Sequence, residues 1–349
     1  MLALTGQSVD NSSHPNKTLI LTSKDVKELI STEEIIANVE KALKILGTGD
    51  SLSLPSRIWH HVPLEQSQES LIYVVASTFS PEHSTAVKVL TLNDRNPIER
   101  RLPHMLGIII MFDSSNGFPS AVMDGVLITN ARTGALAALG AKYMARGDSE
   151  KVAVLGSRAL AKSALQALMK VGLKIRQATV YSASKVNRER FAVEMSASLK
   201  LPIQAKNSAQ EAVDDADIII TATSSSTPIL LDKFVKAGAH ISAIGSKGEV
   251  EPKLLSRSRV IAETNECKSY GKISMGIQQN FITESNIAAE FSQVIRKEKP
   301  GRASPEEITF FDSIGHAIED AAVCKALYDK ARAMGRGAWM DMTGELEIS

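Results

Sequence analysis

A glycine turn between a predicted strand and a predicted helix is the feature of this sequence best suited to bind a dinucleotide. The apolar run 152–155 precedes it, and the turn reads Gly156-Ser157-Arg158-Ala159-Leu160-Ala161. In this setting backbone N–H groups at a helix N-terminus bind pyrophosphate, and we predict cofactor contacts from Gly156 to Leu160. The second glycine of the usual pattern is missing, because Arg158 stands there and brings a Cβ close to the phosphates. Either Arg158 folds outward and pairs with a phosphate, which we favour, or it blocks the site.

The residues that follow two later strands indicate which dinucleotide would bind. An acid after the second strand would select the ribose hydroxyls of NAD, but this sequence has Ser182-Ala183-Ser184-Lys185 there, with Arg188 close by. This favours NADPH over NADH, with contacts from Ser182, Ser184 and Lys185. A second loop, Thr221-Ala222-Thr223-Ser224, begins at the end of the strand predicted at 218–222. It either faces the cofactor crevice or consists only of turn-forming residues, and both interpretations stay open.

Three cationic residues could hold an anionic substrate. Lys88 lies in Ala86-Val87-Lys88-Val89-Leu90, where both faces of the predicted strand are apolar. A lysine in such a strand usually has an anionic partner or a catalytic role, and the alternative is that it snorkels at a sheet edge. Arg132 stands near the start of a helix predicted from 129 to 144, where helix N–H groups and the guanidinium could together hold a carboxylate. Arg57 could supply a second guanidinium, although each arginine taken alone is more typical of a surface or ion-pair residue.

The pattern around these residues predicts two kinds of architecture in one chain. Before residue 125, a helix at 32–47 is followed by strands at 57–62, 71–78, 86–92 and 106–112, and Asn116-Gly117 favours a hairpin to 118–123. This pattern predicts a mostly antiparallel sheet. From residue 151 onward strands alternate with helices, which is typical of a doubly wound parallel sheet. The predicted fold class is therefore α/β, with the switch between the two parts on the helix at 129–144.

Composition narrows the classes of function. The chain has 349 residues, of which 44% are hydrophobic and 23% charged, so we expect a packed core with room for two domains. A net charge of +1 argues against a nucleic-acid-binding protein. The two cysteines, Cys267 and Cys324, lack metal-ligand spacing and are predicted to be buried thiols in a reducing, cytoplasmic compartment, with no metal site. No apolar run has the ~20 residues that a membrane helix needs, so we expect no membrane span.

Several segments together resemble the ornithine cyclodeaminase and mu-crystallin family, and they cover nearly the whole chain after residue 20. In chain order they are Pro55-Ser56-Arg57, Val87-Lys88-Val89, Asn116-Gly117-Phe118-Pro119, Met123-Asp124-Gly125, Arg132-Thr133-Gly134-Ala135, the Gly156 turn, Thr221-Ala222-Thr223-Ser224, 240–245 and Phe311-Asp312-Ser313-Ile314-Gly315-His316-Ala317-Ile318-Glu319-Asp320. The stretch from 118 to 144 looks particularly like the archaeal alanine dehydrogenase branch.

The resemblance implies a Rossmann domain, residues 129–313, inserted into a split substrate-binding and dimerisation domain, residues 1–128 and 314–349. It also implies a homodimer, a substrate carboxylate held by Arg57, Lys88 and Arg132, and a loop at Ser313 near the nicotinamide. The preferred reaction is NAD(P)H-dependent reduction of a C=N bond next to a carboxylate in a small imino acid, or the reverse oxidation of an L-amino acid. Arg57 and Arg132 would orient the acid, and Lys88 would stabilise or protonate the nitrogen side.

Two positions depart from the family pattern. After the strand at 240–245, where we expect Gly245 to contact the cofactor, cyclodeaminases and the alanine dehydrogenase branch place a catalytic Asp in a Gly-x-Asp segment. This chain has Gly245-Ser246-Lys247, and mu-crystallin-like ketimine reductases also lack the Asp. A lysine cannot accept the proton that a carboxylate would, so the lyase reaction from ornithine to proline and ammonia is the less favoured alternative. His104 stands where relatives often have Thr and is either a proton donor or a structural histidine. A ligand-binding protein that lost catalysis is the third interpretation, which Arg158 and Lys247 would permit.

Overall fold

The computed structural model describes residues 16–48, 51–53, 57–64, 68–93 and 95–342. Its strands are β1 (Thr18–Leu21), β2 (Ser51–Ser53), β3 (Ile58–Leu64), β4 (Gln68–Phe79), β5 (Ser84–Leu92), β6 (Met105–Asp113), β7 (Pro119–Asp124), β8 (Lys151–Leu155), β9 (Gln177–Tyr181), β10 (Ile203–Ala205), β11 (Ile218–Thr221), β12 (His240–Ala243), β13 (Ser258–Ala262), β14 (Ile287–Glu290), β15 (Ile308–Asp312) and β16 (Ala338–Met340). Its α-helices are α1 (Ser23–Leu29), α2 (Thr32–Ile45), α3 (Gly125–Met144), α4 (Ala159–Leu168), α5 (Lys185–Leu199), α6 (Ala209–Val213), α7 (Gly271–Gln278), α8 (Phe291–Ile295) and α9 (Ala317–Ala333).

Contacts within the chain divide it into two compact units. The first comprises Met1–Ser31, Asp50–Ile128 and Asp320–Ser349, and the second comprises Thr32–Gly49 and Thr129–Glu319. Residues 32–49 and 314–319 thus group with the second unit, whereas we predicted them in the first domain. The assignment of a function to each domain stays a prediction.

The first unit contains a sheet with the strand order β16-β1-β7-β6-β5-β4-β2, and β3 also pairs with β4. Its pairings are antiparallel except that β1 runs parallel to β7, so the prediction of a mostly antiparallel sheet is confirmed. The predicted hairpin joins β6 to β7. Gly117 has a φ of +78° in its turn, where the Asn116 side chain accepts a hydrogen bond from the Phe118 N–H at 2.8 Å.

The second unit contains an eight-stranded sheet in the order β10-β9-β8-β11-β12-β15-β13-β14, and every pairing in it is parallel. The predicted doubly wound sheet is confirmed. Its central strands β11 and β12 are buried on both faces, as in a parallel sheet covered by helices, and Ile218, Ile219 and Ile220 of β11 are fully buried. All strands end at the same edge of the sheet, which is the edge that positions the candidate site.

Helix α3 begins at Gly125, earlier than the predicted start at 129. The cause is local, because the Asp124 side chain accepts a hydrogen bond from the Leu127 N–H at 2.6 Å and so satisfies one of the first N–H groups. Further along, a Cβ on Gly134 would stand 2.6 Å from the carbonyl carbon of Ser163. The glycine therefore permits close packing of this helix against the segment at Ser163.

Both cysteines are free and buried, which confirms that prediction. Within the described ranges, no helix combines the length and the apolar character needed to cross a bilayer.

Candidate active site

The carboxyl ends of the parallel strands form the edge at which folds of this kind bind dinucleotides. From β8 the chain proceeds to β9 and β10 on one side, and it then crosses to β11 on the other side of β8. The strand order therefore reverses between β8 and β11. The crevice at such a switch point is the expected ligand site, and the turn at Gly156 lies there.

Gly156 stands where only a glycine fits. Its φ is +122°, and a Cβ at this position would be 2.4 Å from the carbonyl oxygen of Ala222. Its N–H donates to the carbonyl of Tyr181 at 2.8 Å. The next residue, Ser157, donates from its hydroxyl to the hydroxyl of Ser182 at 2.8 Å. The turn is thus tied to the ends of both strands that flank β8.

Arg158 is the N-cap residue of α4, with an extended backbone at φ −93° and ψ −171°. The first N–H groups of the helix, at Ala159 and Leu160, therefore lie at the turn, as pyrophosphate binding requires. The Arg158 side chain is exposed. Its contact with a phosphate stays a prediction.

The end of β9 carries no carboxylate at 182–185. The Ser184 hydroxyl caps α5 by accepting a hydrogen bond from the Asn187 N–H at 3.3 Å. Lys185 is exposed in the first turn of that helix. Arg188 is buried and donates to the carbonyl of Ser182 and to the side chain of Asn207, both at 3.0 Å. Arg188 therefore holds the loop, and the exposed positive charge there belongs to Lys185.

The loop after β11 is held by a buried carboxylate that sequence reasoning missed. Glu249 is fully buried, and the Thr223 N–H and hydroxyl donate to its Oε2 at 2.8 Å and 2.7 Å. The hydroxyl of Thr221, also fully buried, donates to Oε1 at 2.7 Å. The Thr221 side chain thus has a partner inside the protein, and its predicted cofactor contact stays a prediction. Ala222 is buried, whereas Ser224 is exposed on the same loop.

Glu249 also reaches the loop after β12. The Gly245 N–H donates to its Oε1 at 3.0 Å, and the carbonyl of Gly245 accepts a hydrogen bond from Lys272 Nζ at 2.7 Å. Lys272, in α7, donates to the carbonyl of Ala243 at 3.0 Å as well. The sequence offered no signal for either residue, because Glu249 lies in a charged segment typical of an exposed loop and no spacing rule relates it to Lys272.

Asp312 closes β15 beside this lysine. Its Oδ1 lies 3.8 Å from Lys272 Nζ, and its Oδ2 accepts a hydrogen bond from the Ile273 N–H at 2.8 Å. Burial raises the pKa of Asp312 to about 6, although the charge of Lys272 and the backbone N–H groups oppose that rise. Ser313, which we predicted near the nicotinamide, follows it and is buried.

Arg132 is buried in the interior of α3, about two turns from its start. The prediction that free helix N–H groups surround it is therefore wrong, because the helix begins earlier. Its Nη1 donates to Glu319 Oε2 at 3.0 Å. A Cβ on Gly315, which has a φ of +74°, would be 2.3 Å from the same Nη1, so this glycine leaves the space that the guanidinium fills.

Glu263, at the end of β13, fixes the turn that contains Gly315. Its Oε2 accepts hydrogen bonds from the N–H groups of Ile314 and Gly315, each at 2.8 Å. Burial would raise the pKa of Glu263, but a hydrogen bond shared with the Glu319 carboxyl group, the Gly315 N–H and the charge of Arg132 bring it below its usual value. The position of the Arg132 guanidinium is thus set by two buried carboxylates and a glycine turn.

Lys88 is 1% exposed, and its Nζ donates to Asp320 Oδ2 at 2.5 Å. Its strand β5 lies between β4 and β6, so it is not an edge strand. The prediction of an anionic partner is confirmed, and the alternative of a snorkelling lysine is wrong. The partner is fully buried too.

The other predicted site residues stand at the ends of strands in the first unit. Arg57 lies directly before β3, partly buried, and donates from Nη1 to the hydroxyl of Tyr73 at 2.9 Å. His104, also partly buried, lies directly before β6, and its carbonyl accepts a hydrogen bond from the Asn93 N–H at 2.9 Å. The side chain of Lys247 lies outside the described part of the structure.

Comparison with known proteins gives a match over most of the chain. The model of the ornithine cyclodeaminase/mu-crystallin family matches residues 16–335. This chain belongs to the ornithine cyclodeaminase/mu-crystallin family. Alanine dehydrogenase from Archaeoglobus fulgidus is 31% identical to it over 92% of this chain and 98% of its own length.

Solved structures of similar proteins agree with the fold. The Delta(1)-pyrroline-2-carboxylate reductase of Thermococcus litoralis, in complex with NADH and L-proline, is 32% identical with a TM-score of 0.86, over 92% of this chain and 99% of that one. An archaeal alanine dehydrogenase dimer with bound NAD is 29% identical with a TM-score of 0.86, over 93% and 99%. The family match includes all of the predicted site residues from Arg57 to Ser313.

Proposed function

We propose that this chain uses NAD(P)H to reduce a C=N bond next to the carboxylate of a small imino acid, and that it oxidises the corresponding L-amino acid in reverse. The chain is a nicotinamide-dependent oxidoreductase of amino or imino acids. The observation that carries the reductase proposal is its full-length similarity, with a TM-score of 0.86, to a pyrroline-2-carboxylate reductase bound to NADH and L-proline.

When bound, the nicotinamide supplies or accepts the hydride at the substrate α-carbon. In this proposal, the Gly156 turn and the first N–H groups of α4 hold the pyrophosphate, with Arg158 on its outer side. We also propose a preference for NADPH. It is supported by the exposed ammonium of Lys185 and the N-terminus of the 15-residue helix α5, next to a strand end without a carboxylate.

Three cationic side chains are proposed to act on the substrate. Arg57 and Arg132 orient its carboxylate, and the Lys88 ammonium donates a proton to the nitrogen that gains an electron pair as hydride reaches the α-carbon. The Asp320 carboxylate fixes Lys88 within its unit, and Glu319 fixes Arg132 within the other. His104 is the alternative proton donor.

The organisation of the whole protein is part of the same proposal. Residues 129–313 would form the dinucleotide domain, and residues 1–128 with 314–349 the substrate and dimerisation domain. A homodimer is supported by the dimer reported for the similar archaeal alanine dehydrogenase. A cytoplasmic location also stays a prediction. Light scattering of the purified protein would test the dimer.

A substrate screen tests the reaction. Cyclic imines, and keto acids supplied together with amines, are mixed with the protein, and oxidation of NADPH and of NADH is followed by absorbance. We expect oxidation with at least one imino acid, faster with NADPH, and its loss in the Lys88→Met variant. Full activity in that variant would contradict the assignment of Lys88.

The alternatives have different outcomes in the same screen. A cyclodeaminase would form proline from ornithine without net production of reduced cofactor, but the segment after β12 offers Ser246 and Lys247 where a carboxylate is needed. A binding protein without catalysis would oxidise neither cofactor with any substrate.

A further inference from the structure

We propose that Glu249 and Lys272 form a buried clamp around the Gly245 peptide that positions the nicotinamide-binding loops after β11 and β12. Both are positioning residues, since they would act through the loop backbone. The inference rests on the proposed function, because it assigns these loops to the nicotinamide half of the cofactor.

The Glu249 carboxylate connects two loops that are separate in the sequence. Its four described hydrogen bonds come from Thr221 Oγ1 and the Gly245 N–H to Oε1, and from the Thr223 N–H and Oγ1 to Oε2, at 2.7 to 3.0 Å. Each carboxylate oxygen thus accepts from two donors. The loop after β11 and the loop after β12 are therefore fixed to one group.

Lys272 holds the same peptide region from its carbonyl side. Its Nζ donates to the carbonyls of Ala243 and Gly245 and lies 3.8 Å from Glu249 Oε1. The Gly245 residue thus gives its N–H to an anion and its carbonyl to a cation. Hydrogen bonds to charged groups are stronger than neutral ones, so this arrangement restricts the loop firmly.

The fit around Gly245 leaves no room for a side chain. A Cβ there would be 2.4 Å and 2.5 Å from the two carboxylate oxygens of Glu249 and 2.5 Å from the Thr223 nitrogen. The backbone of the loop is pressed directly against the carboxylate. A small shift of Glu249 must therefore shift Gly245.

The location of the clamp argues for a role beyond stability. Replacing a buried ion pair with apolar residues of similar volume is often neutral or stabilising, so the burial of Glu249 and Lys272 is not explained by stability alone. The Glu249 carboxylate contacts the last residue of β11 and the loops after β11 and β12, and Ala222 in the first of these loops lies against Gly156. In doubly wound folds each half of the sheet binds one nucleotide of the cofactor. If the adenosine binds at the end of β9, the nicotinamide binds at the half that contains β11 and β12. Ser224 is exposed on the loop that the clamp holds.

The test replaces Glu249 with Gln and measures the dissociation constant of NADPH by fluorescence titration, apart from turnover. In either orientation the amide nitrogen of Gln would face a backbone N–H, that of Gly245 or that of Thr223, and two donors cannot form a hydrogen bond, so we expect the loops to move apart. We expect the dissociation constant to rise about tenfold or more, and single-turnover hydride transfer to slow by a similar factor.

The matched control is Glu251→Gln, two residues further along. Glu251 is half-buried and accepts a hydrogen bond from the Asp232 N–H at 2.7 Å, but it lies outside the clamp. We expect NADPH affinity within twofold of the unchanged protein. Thr221→Val is a milder change, because it removes one donor to Glu249 and keeps the shape; we expect about a threefold rise in the dissociation constant.

Three outcomes are informative. A Glu249→Gln variant that melts at a lower temperature but binds NADPH and transfers hydride like Glu251→Gln would show a purely structural role and overturn the proposal. Should Glu249→Gln fail to fold, Thr221→Val decides by the same comparison. Failure of the proposed reaction is recognised separately. In that case the unchanged protein would not oxidise NADPH with any imino acid tested, but its dissociation constant for NADPH could still be measured.

Discussion

Replacing Asp320 with Asn should strongly destabilise the protein, because it removes the carboxylate that Lys88 contacts in the interior. The two side chains are 1% and 0% exposed, and they are joined at 2.5 Å. Asn is close in shape to Asp, so packing changes little and the electrostatic effect dominates. The mirror change, Lys88→Met, leaves the Asp320 carboxylate buried without the lysine.

The magnitude follows from burial. Removing one partner of a buried ion pair typically costs about 3–5 kcal/mol, far more than the ~0–1 kcal/mol of a surface pair. For a chain of 349 residues, such a loss corresponds to a fall in melting temperature of roughly 4–7 °C. The double variant Lys88→Met with Asp320→Asn removes both charges, so we expect it to recover at least half of the loss.

The melting temperatures of the unchanged protein, the two single variants and the double variant are measured by thermal unfolding at one protein concentration. Steady-state kinetics are measured on the same samples. The double variant separates the two roles of Lys88, since its stability should return while kcat/KM stays lower by about a hundredfold or more. Single variants that melt within 2 °C of the unchanged protein would refute the reasoning. So would a double variant that is less stable than both.

Three further predictions concern other residues. Burial, with the charge of Arg302, lowers the pKa of His240 to about 3, so below pH 6.5 the unfolded chain binds a proton that the folded one does not. The free energy of unfolding should therefore fall by up to about 1.4 kcal/mol per pH unit from 6.5 downward. When it is measured by urea unfolding between pH 5 and 7, it should depend less on pH in the His240→Gln variant. Gly315→Ala should raise the substrate KM about tenfold, because the new Cβ would displace the Arg132 guanidinium. Gly117→Ala is the control, since Gly117 has a similar φ but nothing within 4 Å of an added Cβ, and it should lower only the melting temperature. Equal KM values in the two variants would contradict this prediction. Lys185→Glu should raise the KM for NADPH more than that for NADH, and an unchanged ratio would contradict the proposed preference.

Much of the fold could be predicted because its signals are local. Apolar runs such as 152–155, followed by a turn and a helical pattern, predict parallel strands whatever lies around them. Gly156 was predictable for the same reason, since a turn between strand and helix has a recognisable chemistry. The early start of α3 was missed although its signal, Asp124, is also local. Short elements between 265 and 295, including α7, lacked a long enough pattern.

What the sequence by itself determined is the type of fold, the position of the glycine turn, and the expectation that a lysine inside an apolar strand has an anionic partner or a catalytic role. It could not name that partner, because Lys88 and Asp320 are 232 residues apart and no periodicity links them. The tertiary structure also decided that Glu249, in a charged segment typical of an exposed loop, is fully buried and accepts hydrogen bonds from two strand ends. The physical reason is that periodicity reports which face of an element is buried, whereas the pairing of buried charges depends on which elements the fold brings together.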